Sequence, residues 1–110
     1  MKADGLQQRA FISRTELRSW LDEHHASHPG LLVKIYKKHS DHVTITFEDL
    51  LEEGLCFGWS ESQRFRGTDD YYLQKFTPRK VKGTMSTRNK KLVAKLEREG
   101  LMTNAGRAKL

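Results

Sequence analysis

Two extended runs, Trp59–Arg66 and Tyr71–Thr77, flank the polar turn Gly67-Thr68-Asp69-Asp70, and this arrangement constrains the fold more than any other feature of the chain. A four-residue polar turn between such runs predicts a β-hairpin. Pro78 offers no N–H to a ladder, so the second strand must end there. A hairpin is marginal alone and has to bury one face against other elements. The rest of the chain therefore has to supply a covering layer.

Helix signals supply it. Ser13 and Glu16 have capping-box spacing, and Leu17, Trp20, Leu21 and His24 recur on one helical face until Pro29-Gly30 stops the helix by about His28. Thr46 caps a helix over Phe47 to about Phe57, with Phe47, Leu50, Leu51 and Leu55 on its apolar side and Glu48, Asp49, Glu52 and Glu53 on the other. Ser86 or Thr87 caps a third helix, roughly Arg88 to Glu99, with Leu92, Val93 and Leu96 facing the core and Gly100 as the residue after its end. Thr103 caps a short fourth one. Leu31 to Lys37 reads as a strand, and Val43 to Thr46 as a second short one. Residues 1–12 read as a flexible lead, and 13–110 as one domain. The expectation is an α+β fold, a small and largely antiparallel sheet with three to four helices on one face.

The 110 residues suffice for one core. The single cysteine, Cys56, closes no disulfide within the chain, and the N-terminus MKADGLQQRAF lacks the apolar segment of an export signal. Both point to the cytoplasm. No apolar run approaches the ~18 residues of a membrane span. The net charge of +6 is unevenly spread: residues 1–70 hold 9 Lys/Arg against 12 Asp/Glu, and residues 71–110 hold 11 against 2. Such asymmetry suits an anionic partner, either nucleic acid or an acidic protein. It equally suits a basic part that packs on the chain's own acidic part.

The block Leu55-Cys56-Phe57-Gly58-Trp59 and the run Tyr71-Tyr72-Leu73-Gln74-Lys75-Phe76-Thr77-Pro78-Arg79-Lys80 resemble the YdeI/OmpD-associated family of bacterial proteins, also labelled bacteriocin-protection proteins. The stretches Ser86 to Lys91 and Glu99 to Thr103 resemble it too, so the similarity spans about residues 13–106. Ser60-Glu61-Ser62 replaces the family's usual Ile-Asp-Ser, Met85 stands where Trp is frequent, and the family's basic C-terminal extension has no counterpart. The resemblance implies a kindred fold and a stress or antimicrobial-resistance role. It brings no catalytic residues.

Five constellations bear on chemistry. Arg88, Lys91, Lys95 and Arg98 fall on one stripe of the third helix, and Lys75, Arg79, Lys80 and Lys82 lie upstream. Together they suit phosphates, with a solvated charged face as the plainer alternative. Six of the ten aromatics fall between Phe57 and Phe76; exposed, they suit base stacking, and buried, they are core. Trp59, Tyr71, Tyr72 and Phe76 around Arg79 also compose a small-ligand pocket, the site that an enzymatic reading would use. His24 and His28 have i,i+4 spacing without a supporting ligand set, so they read as half-buried histidines rather than a metal site. Cys56, near a helix C-terminus, sits where the dipole opposes thiolate. Glu48, Asp49, Glu52 and Glu53 read as solvated, or as an internal counterweight to the basic stripe. Nucleotide-binding, nucleophile-elbow and zinc-ligand motifs are absent. No cofactor, metal or catalytic residue is implied, and the function expected is a non-enzymatic one offering a basic C-terminal surface.

Overall fold

The computed structural model describes residues 5–83 and 85–110. The elements run β1 (Gln7–Arg9), α1 (Arg14–His24), β2 (Leu31–Tyr36), α2 (Phe47–Phe57), β3 (Trp59–Arg66), β4 (Tyr71–Pro78), α3 (Thr87–Arg98) and α4 (Asn104–Arg107). The sheet order is β1-β2-β4-β3. β4 sits between β2 and β3, antiparallel to both, and β1 adds parallel to β2 at one edge. The hairpin is formed as its turn chemistry requires, with a bulge between Glu61 and Gln63. This is an α+β fold with a mostly antiparallel sheet.

Local chemistry sets the helix ends. The Ser13 hydroxyl accepts from the Glu16 N–H, and Thr46 and Asp49 form a reciprocal capping box. Ser86 rather than Thr87 caps α3, accepting from the Asn89 N–H. At its other end the Leu101 and Gly100 N–H groups donate to the Leu96 and Glu97 carbonyls, with Gly100 left-handed at φ 72.

All four helices lie on one face of the sheet. The main core joins Leu17, Trp20 and Leu21 of α1, Leu50, Leu51, Leu55 and Phe57 of α2, and Val93 and Leu96 of α3 to Leu31, Val33, Ile35, Trp59 and Phe76 of the strands. Each such fully buried side chain stabilises by roughly 1.5–3 kcal/mol. Trp20 meets Trp59 edge-on at 5.6 Å between centroids, and the Trp59 indole N–H is satisfied by the His25 carbonyl at 3.2 Å. α4 docks backbone to backbone on the end of α2: a Cβ on Gly106 would run into the Cys56 carbonyl oxygen. Thr103 fastens the same carbonyl through its N–H and its hydroxyl.

Two expectations need correction. Residues 1–4 lie outside the described residues, but the rest of the expected flexible lead is ordered. Gln7–Arg9 form β1, and Phe11 is fully buried against Trp20. Three polar residues carry no strand pattern, so β1 is held by its parallel ladder to β2 and by Phe11 behind it. Residues 42–46 are irregular rather than a strand. Val43 points to solvent, Ile45 is buried, and the Ile45 N–H donates to the Phe11 carbonyl. Thr44 Oγ1 accepts from the Tyr36 N–H, so a side chain takes the place of a ladder.

Candidate functional site

The acidic side of α2 is not uniformly solvated. Glu53 is 1% exposed and Glu52 8%. α1 crosses this side and supplies the partners: Arg14 Nε lies 2.6 Å from Glu53, Arg14 Nη1 2.9 Å from Glu52, and Arg18 Nη1 2.9 Å from Glu53. Arg18 also donates to the Leu101 carbonyl and lies over the Phe57 ring, tying α1 to the loop after α3. Burial works against the charge on both guanidiniums, but hydrogen bonds from Arg14 to Glu53 and Glu52, and from Arg18 to Cys56, outweigh it and hold both above the ordinary arginine value.

The basic stripe of α3 is divided by the same helix. Lys95 reaches Glu52 at 3.3 Å and Arg88 reaches Glu48 at 3.2 Å. Both therefore pair within the chain, Lys95 with a buried carboxylate and Arg88 with an exposed one, which is one of the two readings open to the sequence. Lys91 and Arg98 point to solvent, as do Lys80 and Lys82 of the connector. Arg79 is half-buried, and its N–H donates to the Gly58 carbonyl. Its charge faces Glu61, whose carboxyl is pushed up by burial against the opposing pull of its own backbone hydrogen bond and of Arg79. Lys75 and Lys80 meet elsewhere, in a shallow pocket of about 290 Å³ with Leu6, Pro29 and Thr77. The eight predicted cations thus divide into Arg88 and Lys95 paired to α2, Lys91 and Arg98 on an outward helix face, Lys75 and Lys80 beside the sheet, and Arg79 and Lys82 on the connector, not one patch.

The pleat likewise separates the hairpin aromatics. Trp59 (1% exposed) and Phe76 (0%) are core, and Tyr72 packs against that core on the same face. Tyr71, one residue on, points to the opposite face. Tyr71 therefore lies across the sheet from Trp59, Tyr72 and Phe76, and the described residues do not bring the four rings together around Arg79.

The opposite face is where the unexpected residues gather. Its cluster comprises Leu32 and Leu73 beneath Leu6, Phe65 and Tyr71, and it contains no helical residue. The register places Lys34 and Tyr36 of β2, Gln63 and Phe65 of β3, and Tyr71, Lys75 and Thr77 of β4 on this side. No paired strand position on it among the described residues is acidic; Asp70, in the turn before Tyr71, lies 3.5 Å from His39. Tyr36 packs 5.0 Å from Tyr71, His42 stacks 4.4 Å from Tyr36 at a tilt of 32°, and Lys34 Nζ sits 5.0 Å over the Tyr71 ring. Sequence reading missed Tyr36, Lys34 and His42. The signal was the alternation Leu32, Lys34, Tyr36, hidden inside a nearly continuous apolar run and legible only against the matching Tyr71, Leu73, Lys75.

The remaining candidates lie in or against the core. His24 and His28 flank the Trp20 ring at 4.9 and 4.8 Å, and His28 Nδ1 accepts from the Gly30 N–H. Burial, then His24, lowers the His28 pKa. Among the described residues no three His, Cys, Asp or Glu side chains gather as metal ligands would. Cys56 is fully buried, and burial raises its thiol despite the nearby Arg18. Among the described residues no helix is long and apolar enough to cross a membrane. An apolar groove of about 480 Å³ runs between Met85, Val93, Ala94 and Leu110, edged by Lys90 and Glu97.

Comparison with known proteins adds a family and nothing finer. Neither the curated proteins nor the solved structures contain a match. A family model described as a domain of unknown function, DUF8412, matches residues 9–109, from the last residue of β1 to one short of the end of the sequence. The chain therefore belongs to the DUF8412 family.

Proposed function

We propose that this protein is a cytosolic, non-enzymatic binding module for an anionic partner, engaged on the helix-free face of its sheet. The observation that carries this reading is the distribution of carboxylates. The acids of α2 are drawn into the helix layer by Arg14, Arg18, Arg88 and Lys95. The paired strand positions of the open face carry Lys34, adjoin Lys80, and include no carboxylate among the described residues. A cationic surface of this kind attracts polyanions by charge and counterion release.

Kinship with the YdeI/OmpD-associated family, and with it a stress role, is supported by the two blocks that resemble it. They fall on the α2–β3 junction and on β4 with the connector, the elements that build this face's central strand.

The test is binding to fluorescein-labelled heparin across a salt series. Affinity should fall steeply with salt, and Lys34→Gln with Lys80→Gln should weaken it and flatten the salt dependence. Lys91→Gln with Arg98→Gln, on the far helix face, should leave it nearly unchanged. Absent or salt-independent binding overturns the proposal, as does loss confined to the Lys91/Arg98 variant.

A further inference from the structure

We infer that the open sheet face takes a single strand of nucleic acid, its bases stacked on Tyr36 and Tyr71 and its backbone led toward Lys80. The inference rests on the polyanion reading and names the class of partner for the same face.

Charge alone does not separate a nucleic acid from any other polyanion. Planar rings do. Base stacking is sequence-tolerant because every base has a π-face, and single-strand binders combine aromatic platforms with a cationic track. Here the rings are already arranged for it. Tyr36 and Tyr71 are directly paired across β2 and β4, both half-buried, so each is anchored by the sheet and presents part of its ring to solvent. Phe65 extends the row onto β3 beside Leu73.

His42 shows what Tyr36 accepts. An imidazole is a planar nitrogen heteroaromatic, and it lies against the Tyr36 ring at 4.4 Å with a 32° tilt, close to the stacked geometry that a base would adopt. His42 belongs to the irregular 42–46 segment and is exposed, so a base can take its place without disturbing the core. Lys34, resting over Tyr71, is a long flexible cation that can turn from the ring to a phosphate as a base arrives.

The platform also has a direction. From Tyr71 to Thr77 β4 rises about 20 Å at roughly 3.3 Å per residue. Aromatic rings occupy one end, and the shallow pocket of Lys75, Thr77 and Lys80 the other. A strand lying along β4 meets rings first and the exposed Lys80 last. A duplex presents no free base faces to such a surface, and its bases would gain nothing from it.

The experiment is fluorescence anisotropy with a labelled mixed-sequence 12-nucleotide single strand, its duplex, and labelled heparin, on the full chain. The single strand should bind more tightly than the duplex. Tyr36→Leu and Tyr71→Leu retain apolar cover over Leu32 and Leu73 but lose the stacking face. Each should weaken single-strand binding by roughly five- to a hundred-fold and leave heparin binding within about two-fold. Circular dichroism and thermal melts identify any variant that fails to fold, and His42→Ala, exposed and outside the sheet, gives a variant with little structural risk. It should leave single-strand affinity unchanged or improved.

Single-strand affinity unmoved by both tyrosine substitutions, in variants that melt as the parent does, overturns the inference while the heparin result sustains the polyanion reading. Equal affinity for duplex and single strand overturns it too. Failure to bind either heparin or the oligonucleotides overturns both.

Discussion

Replacing Glu53 by Gln isolates the ionic seam between α1 and α2. The change keeps the side-chain volume, so no cavity complicates the result. It removes the negative charge that faces two guanidiniums and puts an NH₂ donor where a carboxylate oxygen accepted, against Arg14 Nε at 2.6 Å or Arg18 Nη1 at 2.9 Å. Hydrogen bonds to charged groups contribute about 1.5–3 kcal/mol each, and breaking a buried pair costs about 3–5 kcal/mol. Arg14 and Arg18 are 33% and 27% exposed and can recruit water, so the lower part of that range applies. The expected loss is about 3 kcal/mol, which lowers the melting temperature by about 12 °C in a domain of this size. Urea unfolding should show the midpoint falling with the slope unchanged. Glu48→Gln is the control. Its pair with Arg88 is 58% and 68% exposed, so it should cost no more than roughly 0.5 kcal/mol. The Glu53 effect should also persist at about 1 M salt, where surface pairs are screened. A Glu53→Gln protein as stable as the Glu48→Gln protein, or a loss that disappears in high salt, would refute the assignment of this seam to the buried interior.

Two further outcomes follow from the geometry. The His28 pKa is lowered in the fold, so the unfolded chain binds the proton more readily; stability should be full above the ordinary histidine value near 6.5 and decline as pH falls through it. Protonation also removes the Nδ1 lone pair that accepts the Gly30 N–H, so His28→Asn should reduce the dependence of the urea midpoint on pH between roughly 7 and 5, and an identical dependence in that variant would count against the account. Gly106→Ala places a Cβ against the Cys56 and Leu55 carbonyls and should cost about 1–3 kcal/mol or detach α4, visible as a lowered melting temperature; a neutral substitution would mean that α4 does not dock as described.

Element type and order were legible where local chemistry decides them. Ser13, Thr46 and Thr103 cap as their side chains predict, and the hairpin follows from its turn and Pro78. β1 was not legible, because Gln-Gln-Arg has no strand pattern and gains its structure from β2, more than twenty residues away. The site was only partly legible. The aromatics and cations were counted correctly, but their faces depend on register, and a one-residue step sends Tyr71 and Tyr72 to opposite sides of the sheet. Pairing of the α2 acids with the α3 stripe was one of two readings open to the sequence, but their burial by Arg14 and Arg18 was not legible, because those residues sit on another helix, 35 to 39 residues earlier.

The rims of the sheet have their own consequence. At one rim β1 offers only three residues, and at the other β3 is bulged near Ser62 and bears Arg64 and Arg66. Short, kinked and charged margins discourage a foreign peptide from extending the ladder. Strand addition, in which one extended chain reads another through backbone hydrogen bonds, is therefore poorly served at both margins. The proposed partner would instead lie on the face of the sheet, where side chains rather than main-chain amides do the recognising.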